Sequence, residues 1–266
     1  MSFASTAPDN WEYREPFFGG GSIGLALMEQ DKLQRVWFND KDVGIACLWN
    51  SVYKYPSDLK RAVKGFKPSI KAFDEISAFL RTQKPSSEPS SVVRFGFYKL
   101  AIHQISYSGL GLKSGGPLGG RSQESAYKID CRWSPDYICK KIDKVSAMFH
   151  SVDFRSCWNE DFSTLIQDDI CSAVIYLDPP YYDKGSDLYY HSFTKEDHER
   201  LAKELKATPH EWVLSYDDCP EIRKLYEWAN IEVLTVNYSI TSKKVKDAGK
   251  RQSRWKQELL ITAKHG

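Results

Sequence analysis

The chain lacks the features of a metal-binding or disulfide-stapled protein. Its 266 residues include six cysteines, but no C-x-x-C pair occurs and no histidine stands at zinc-ligand spacing from them. No apolar run approaches the roughly 20 residues that a membrane span needs, and no signal peptide is recognisable. These absences predict a reduced, cytoplasmic protein that holds no metal ion and contacts no membrane.

A strong net charge is also lacking. The 37 lysine and arginine residues nearly balance 35 acidic ones, so composition alone does not indicate a nucleic-acid-binding protein. Residues 241–256 are the exception, with seven basic side chains and one acid, Asp247. Such a run is usually a solvated loop, but beside a nucleic-acid site it would neutralise phosphates.

Strand and helix patterns alternate at both ends of the chain, whereas the middle is mainly helical. The strand patterns occupy residues 13–18, 35–38, 173–177, 212–215, 231–236 and 258–262. Alternation of this kind predicts an α/β fold of the nucleotide-binding type. We therefore predict a discontinuous domain, residues 1–55 and 150–266, that carries a helical insertion at residues 56–149 with a glycine-rich loop at 108–125.

A glycine turn follows the first predicted strand. Gly19, Gly21 and Gly24 fit G-x-G-x-x-G, and Ser22 is the predicted N-cap of the next helix. Asp40 ends the following strand, where a carboxylate can accept hydrogen bonds from ribose hydroxyls. The pattern suits a dinucleotide and S-adenosylmethionine equally. The alternative is an ordinary helix entry followed by a surface aspartate.

The most specific motif follows the apolar strand at residues 173–177 and consists of Asp178, Pro179, Pro180 and Tyr181. One substrate that this motif suits is an adenine amine, a poor nucleophile because its lone pair is delocalised into the ring. An Asp178 carboxylate and a Pro179 carbonyl that each accept one N–H would turn that lone pair outward, and proline holds both acceptors in place. Tyr181 offers a ring on which an extruded base can stack. The alternative is a strand end with a proline-stiffened turn.

None of the six cysteines follows a proline, so the Pro-Cys nucleophile of cytosine C5 methylation is missing. The motif therefore favours direct transfer of a methyl group to a planar nitrogen, without a covalent enzyme intermediate. Adenine is one acceptor, and cytosine N4, RNA or a protein amide are the alternatives that the motif leaves open. A nicotinamide dehydrogenase would leave the Asp-Pro-Pro-Tyr motif without a role.

The segment E-P-F-F-G-G-G-S at residues 15–22 resembles the E-P-F-x-G-x-G-S motif of the Dam-like DNA adenine methyltransferases. The order of cofactor motif, recognition insert and catalytic motif is that of the family's alpha group. The resemblance extends to about Ala263 and includes I-S-Y-S-G at 105–109 and N-E-D-F at 159–162. It implies a Rossmann-like S-adenosylmethionine-dependent methyltransferase sheet with a helical target-recognition insertion. It also implies a flipped adenine in double-stranded DNA as the substrate, and we expect a monomer.

The resemblance and the motifs together imply three groups of site residues. The expected catalytic residues are Asp178, Pro179, Pro180 and Tyr181. The expected S-adenosylmethionine-binding residues are Pro16, Phe17, Gly19, Gly21, Asp40, Asp161, Phe162 and Asp178. The expected DNA-binding residues are Ser108, Lys113, Arg121 and Arg132. The basic run at 241–256 is a further candidate for DNA contacts, and residues 183–193, with Tyr189 and Tyr190, are expected either to close over the flipped base or to form a surface loop.

The start of the chain departs from the family pattern. Members usually carry a P-G-G-K-like segment whose lysine and neighbours help hold the methionine end of the cofactor, and the fourteen residues before Glu15 contain no match. The expectation is that the start is truncated or that another region closes that side of the pocket. A catalytically impaired DNA-binding relative is therefore an alternative.

Overall fold

A computed structural model describes residues 11–156, 159–182, 193–237 and 255–264. Its strands are β1 (Glu12–Glu15), β2 (Arg35–Phe38), β3 (Asp153–Ser156), β4 (Ala173–Leu177), β5 (Glu211–Asp217), β6 (Asn230–Asn237) and β7 (Trp255–Thr262). Its α-helices are α1 (Ser22–Glu29), α2 (Val43–Lys54), α3 (Pro56–Gly65), α4 (Ile70–Thr82), α5 (Pro89–Ile105), α6 (Pro135–His150), α7 (Phe162–Gln167), α8 (Lys195–Ala207) and α9 (Pro220–Leu225). The loop at 183–192 and the basic run at 241–254 lie outside the described residues.

The seven strands form one sheet in the order β3-β2-β1-β4-β5-β7-β6. Neighbouring strands from β3 to β5 are parallel, whereas β7 runs antiparallel to both β5 and β6. The predicted α/β, Rossmann-like fold is confirmed. The strand order reverses between β1 and β4, and in open α/β sheets ligands bind at such a switch point beyond the carboxyl ends of the strands.

The helices of the middle segment share a hydrophobic core with one half of the sheet. Buried Val36 and Phe38 of β2 belong to the same cluster as Leu59 of α3, Phe97 of α5 and Phe149 of α6. The helices of the middle segment therefore pack directly on the sheet. The division at residues 55 and 150 stays a prediction.

Helix starts follow local capping chemistry, with two differences from the sequence prediction. Thr194 and Asp197 form the expected reciprocal capping box at α8. The prediction that Ser22 caps α1 is wrong: Ser22 is the first helical residue, and Gly21 is the N-cap with a left-handed backbone, φ 69°. Ser134 stands at the N-cap of α6 as predicted and Pro135 is the first helical residue, but the Ser134 side chain makes no capping hydrogen bond.

A buried arginine anchors the amino-terminal ends of the central strands. Arg14 is fully buried and donates to Glu12 Oε1 at 2.7 Å. It also donates to the carbonyl oxygens of Leu165 and Asp168 at 2.8 and 2.6 Å. These bonds join β1 to α7 and to the residue that follows it. No described helix is long and apolar enough to cross a membrane.

Candidate active site

A cavity of about 670 Å³ opens at the carboxyl ends of β1, β2 and β4. Ten of the predicted site residues line it: Pro16, Phe17, Gly19, Gly21, Asp40, Lys113, Asp161, Phe162, Asp178 and Pro180. The described part of its wall does not include Pro179, Tyr181, Ser108, Arg121 or Arg132. The fold thus brings the glycine turn and the Asp-Pro-Pro-Tyr motif, which are about 160 residues apart in the chain, to one cavity.

The glycine turn has a conformation and packing that require glycine. Gly19 and Gly21 have φ of 47° and 69°, in the left-handed region that other residues seldom adopt. A Cβ at Gly21 would lie 2.5 Å from the ring of Phe18, and one at Gly24 would lie 2.7 Å from Glu15 Oε2. The turn therefore brings its backbone to the cavity wall while α1 packs closely against β1.

Asp40 is tied to this turn by both carboxylate oxygens. Oδ2 accepts the backbone N–H of Gly19 at 2.7 Å, and Oδ1 accepts that of Asp42 at 2.8 Å. Burial raises the pKa of Asp40 to about 6, and the charge of Asp42 adds to the rise. Each oxygen keeps a lone pair in this geometry, so the side chain can still accept a ligand hydroxyl.

Glu15 is a buried acid of the cavity wall to which the sequence prediction gave no role. Its Oε2 accepts hydrogen bonds from Tyr13 Oη at 3.0 Å and from the Gly24 backbone at 3.1 Å. Burial raises its pKa to about 8, and the charges of Asp178 and Asp40 contribute. The carboxyl is thus mainly protonated at neutral pH. Its place as the first residue of the E-P-F motif was the signal available in the sequence.

Asp178 follows β4 and is held from the neighbouring strand β5. Ser215 Oγ donates to Asp178 Oδ1 at 2.8 Å, whereas Oδ2 has no hydrogen-bond partner in the described part of the chain. Burial raises the pKa of Asp178 and Glu258 adds to the rise, while the bond from Ser215 lowers it. One carboxylate oxygen is therefore anchored, and the other is left for a donor.

The remainder of the Asp-Pro-Pro-Tyr motif is fixed by packing and by two hydrogen bonds. Pro179 and Pro180 are buried. Tyr181 Oη donates to Glu258 Oε1 of β7 at 2.8 Å, and Asp217 of β5 accepts the next backbone N–H, that of Tyr182, at 2.9 Å. Neither Ser215 nor Glu258 had an assigned role in the sequence prediction.

Asp161 and Phe162 stand at the other side of the cavity, where both contact Arg200 of α8. Arg200 forms a two-pronged ion pair with Asp161 at 2.6 and 3.1 Å, and its Cζ lies 4.0 Å from the centre of the Phe162 ring. The bond from Arg200 holds the pKa of Asp161 well below its usual range. Phe17 lies 5.7 Å from Phe162, ring centre to ring centre. These groups form a wall with an apolar ring and a permanently ionised acid.

The predicted DNA-binding residues lie on or near the loop after α5. Ser108 has a positive φ of 54°, within a short helical turn at Tyr107–Gly109. Lys113 and Arg132 are exposed, and Arg121 is exposed but paired with Asp74 of α4 at 2.8 and 3.1 Å. Their role in DNA binding stays a prediction.

Acidic side chains outnumber basic ones on the cavity wall. Seven carboxyl groups line it, against four lysine or arginine side chains. Among the described residues, no group of three or more histidine, cysteine, aspartate or glutamate side chains could hold a metal ion. Even with Glu15 protonated, acidic groups outnumber basic ones on the wall, so the cavity favours a ligand that carries positive charge.

Comparison with known proteins assigns the family. The sequence model of one protein family, the D12 class N6 adenine-specific DNA methyltransferases, matches residues 3–240, which is most of the chain. No curated protein matches the sequence. The family match covers the glycine turn, the inserted helices and the Asp-Pro-Pro-Tyr motif, and it agrees with the cavity at the switch point of the sheet. The chain therefore belongs to the D12 class N6 adenine-specific DNA methyltransferases, enzymes that methylate adenine in DNA.

Proposed function

We propose that the cavity binds S-adenosylmethionine against the glycine turn and presents its methyl group to an adenine amine held by Asp178 and Pro179. The observation that carries this proposal is the single cavity lined by Gly19, Asp40 and Asp178. In it a nucleoside-binding turn and an acceptor for an amine N–H face the same space.

The residues present fit the cofactor. A cavity of about 670 Å³ is within the usual range for small-molecule sites. We infer that Asp40, which lines the cavity, accepts hydrogen bonds from the ribose hydroxyls, and the acidic excess of the wall favours a sulfonium cation. Phe162 and Asp161 offer a ring face and a hydrogen-bond acceptor for the adenine of the cofactor. When bound, S-adenosylmethionine supplies a methyl group on a sulfonium sulfur that leaves as a neutral thioether.

The chain's own task is to orient the nucleophile. Asp178 Oδ2 accepts one amine N–H of the target adenine, and the Pro179 carbonyl accepts the other. The nitrogen lone pair would then point at the methyl carbon, so that the S–C bond would break as the N–C bond formed in line, and the amine would give one proton to the Asp178 carboxylate. Ser215 fixes Oδ1, so the acceptor is in position before the base arrives.

We further propose that the target adenine leaves the duplex to reach this site, because Asp178 lines a cavity within the protein and an amine inside a base pair could not reach it. Tyr181 stacks on the extruded base. Ser108, Lys113, Arg121 and Arg132 contact the DNA around it, with Lys113 on the cavity wall and the other three outside it. The helical segment at 56–149 then carries the DNA-recognition surface.

The test is transfer of labelled methyl groups from S-adenosylmethionine to adenine-containing duplex, with mass analysis of the nucleosides. Wild type is expected to yield N6-methyladenine and Asp178→Ala to yield none above background. Thermal unfolding should show that Asp178→Ala is folded, whereas Asp58→Ala, at an exposed aspartate of α3, should retain full activity. Full activity of Asp178→Ala, or a methylated nucleoside other than adenine, would contradict the proposal.

A further inference from the structure

A continuous chain of hydrogen bonds links the inserted helix α5 to the glycine turn. Lys99 Nζ donates to Asp42 Oδ2 at 2.6 Å. The backbone N–H of Asp42 donates to Asp40 Oδ1 at 2.8 Å, and Asp40 Oδ2 accepts the N–H of Gly19 at 2.7 Å. The side chain proposed to bind the cofactor ribose is therefore connected, through one residue, to a lysine of the helical insertion.

Lys99 is held in this position by its surroundings. It is 8% exposed, and it lines the cavity together with Asp42. Its aliphatic chain lies against Gly44 at the start of α2, where a Cβ would come within 3.0 Å of Lys99 Cδ. A buried ammonium group is costly unless it is paired, so this ion pair differs from the weak pairs of an exposed surface.

The charges around Asp40 come from three elements. Glu15 of β1 faces it, Asp42 follows it in the same loop, and Lys99 reaches it from α5. Asp42 raises the pKa of Asp40 and Lys99 lowers it, while burial raises it most. His103, one helical turn beyond Lys99, has its pKa lowered by burial and by Lys99, so it adds no positive charge at neutral pH. Lys99 is thus the cation that favours the ionised form of Asp40.

We propose that Lys99 is a positioning residue for cofactor binding: its ammonium group offsets the charge of Asp42 so that Asp40 stays ionised, and its bond to Asp42 holds the loop that orients Asp40 toward the ribose hydroxyls of S-adenosylmethionine. This inference rests on the proposed function, because it assumes that Asp40 binds the cofactor ribose. It assigns to the helical insertion a part in the cofactor site as well as in DNA recognition.

The experiment measures the dissociation constant of S-adenosylmethionine by calorimetry, without DNA, from about pH 5.5 to 8.5. Binding to wild type should weaken as the pH falls through the pKa of Asp40, about 6, since the protonated acid loses an acceptor. In Lys99→Met this weakening should begin at a higher pH, so affinity falls about three- to tenfold at pH 6 and less than about twofold at pH 8.5. Titration of the ligand itself cancels when variants are compared at one pH.

Three further variants separate positioning from a merely structural effect. Lys99→Arg keeps the charge and should bind like wild type. Asp42→Asn keeps a good N-cap for α2 but removes the charge that opposes ionisation of Asp40. The pH below which its cofactor binding weakens should therefore be lower than in wild type. The double variant Asp42→Asn/Lys99→Met should return toward wild type. Lys60→Met breaks a more exposed lysine–aspartate pair that does not line the cavity, Lys60–Asp143, and should leave cofactor binding unchanged.

The outcomes distinguish this inference from the function on which it rests. Equal weakening at every pH in Lys99→Met, or an unchanged profile, would overturn the role of Lys99 and leave the cofactor assignment intact. Failure of the folded wild type to bind S-adenosylmethionine at any pH would overturn both. Thermal unfolding of each variant shows whether it is folded, and Lys99→Arg and Asp42→Asn keep the test decisive if Lys99→Met unfolds.

Discussion

Ser215 of β5 donates a hydrogen bond of 2.8 Å to Asp178 Oδ1 at the end of the adjacent strand β4. Ser215 lies on β5, and Asp178 directly follows β4, the parallel strand next to it, so the pairing of these two strands sets the distance between the two side chains. Burial and Glu258 raise the pKa of Asp178, and this hydrogen bond lowers it. Ser215 therefore helps keep the proposed catalytic acid ionised as well as fixed.

Substitution Ser215→Ala should shift the acid limb of the methylation rate to higher pH. Asp178 must be ionised to accept the amine N–H, and without the hydrogen bond its pKa rises, so activity is lost at a higher pH than in wild type. The loss should be about tenfold below neutral pH and smaller above pH 8, since one hydrogen bond to a charged group is removed. Single-turnover rates against pH measure it, with exposed Ser57→Ala of α3 as the control. Identical profiles for Ser215→Ala and wild type would show that this bond has no such role.

Tyr181 combines a ring with a hydroxyl that is bonded to Glu258 at 2.8 Å. Under the stacking proposal the ring matters more than the hydroxyl. Tyr181→Phe should keep methylation within about threefold of wild type, whereas Tyr181→Ala should reduce it about ten- to hundredfold, the usual effect of removing one stacked ring. Rates on duplex DNA, and base extrusion followed with 2-aminopurine, provide the measurement. Equal losses in both variants would assign the role to the hydroxyl.

The sequence predicted those parts of the site that depend on local chain features. Hydrophobic runs fixed the ends of β2 and β4, and therefore the positions of Asp40 and Asp178. Glycine and proline marked the turns that follow a strand, because their backbone restrictions act within a few residues. The parallel, Rossmann-like architecture followed from the alternation of these local patterns.

The supporting residues could not be predicted because they act across long separations in the chain. Ser215 is 37 residues from Asp178, Glu258 is 77 from Tyr181, and Lys99 is 57 from Asp42. Each contact depends on which strands or helices become neighbours, and one sequence does not show this. The same holds for the pairing of Arg121 with Asp74, which is 47 residues away.

The raised pKa of buried Glu15 predicts that the free energy of unfolding depends on pH. Its pKa is about 8 in the folded protein, whereas a glutamate in an unfolded chain has a pKa of about 4.3. Between these values the folded state retains a proton that the unfolded state has lost. The stability is therefore fully present below about pH 4.3 and declines as the pH rises toward 8, by on the order of 3 kcal/mol from pH 5 to pH 8.

Substitution Glu15→Gln should flatten this decline, because the amide oxygen can accept the same bonds from Tyr13 and Gly24 and cannot ionise. The variant should be more stable than wild type at pH 8 and similar to it at pH 5. Urea unfolding at a series of pH values measures the effect. Glu124→Gln, at an exposed position, should follow the wild-type curve, and a Glu15→Gln curve parallel to wild type would contradict the prediction.

The buried hydrogen bonds of Arg14 predict that its substitution causes a large loss of stability. Arg14 is fully buried and pairs with Glu12, which is 1% exposed, so Arg14→Met would remove the donor from a buried carboxylate and from the Leu165 carbonyl, while the Asp168 carbonyl would keep His210 Nε2 at 2.7 Å. Arg155, with Nη1 at 3.7 Å from Glu12, would compensate only in part. Breaking a buried pair in this way typically costs about 3 to 5 kcal/mol in the free energy of unfolding.

The matched control for Arg14→Met is Arg223→Met. The Arg223 side chain is 45% exposed, and it donates two hydrogen bonds to the carboxylate of Asp218. Such a surface pair contributes at most about 1 kcal/mol, so the control should unfold close to wild type in urea. The double variant Glu12→Gln/Arg14→Met should recover part of the loss, since no charge is then buried without a partner. Equal destabilisation by Arg14→Met and Arg223→Met would show that the buried network does not hold β1 to the segment before β4.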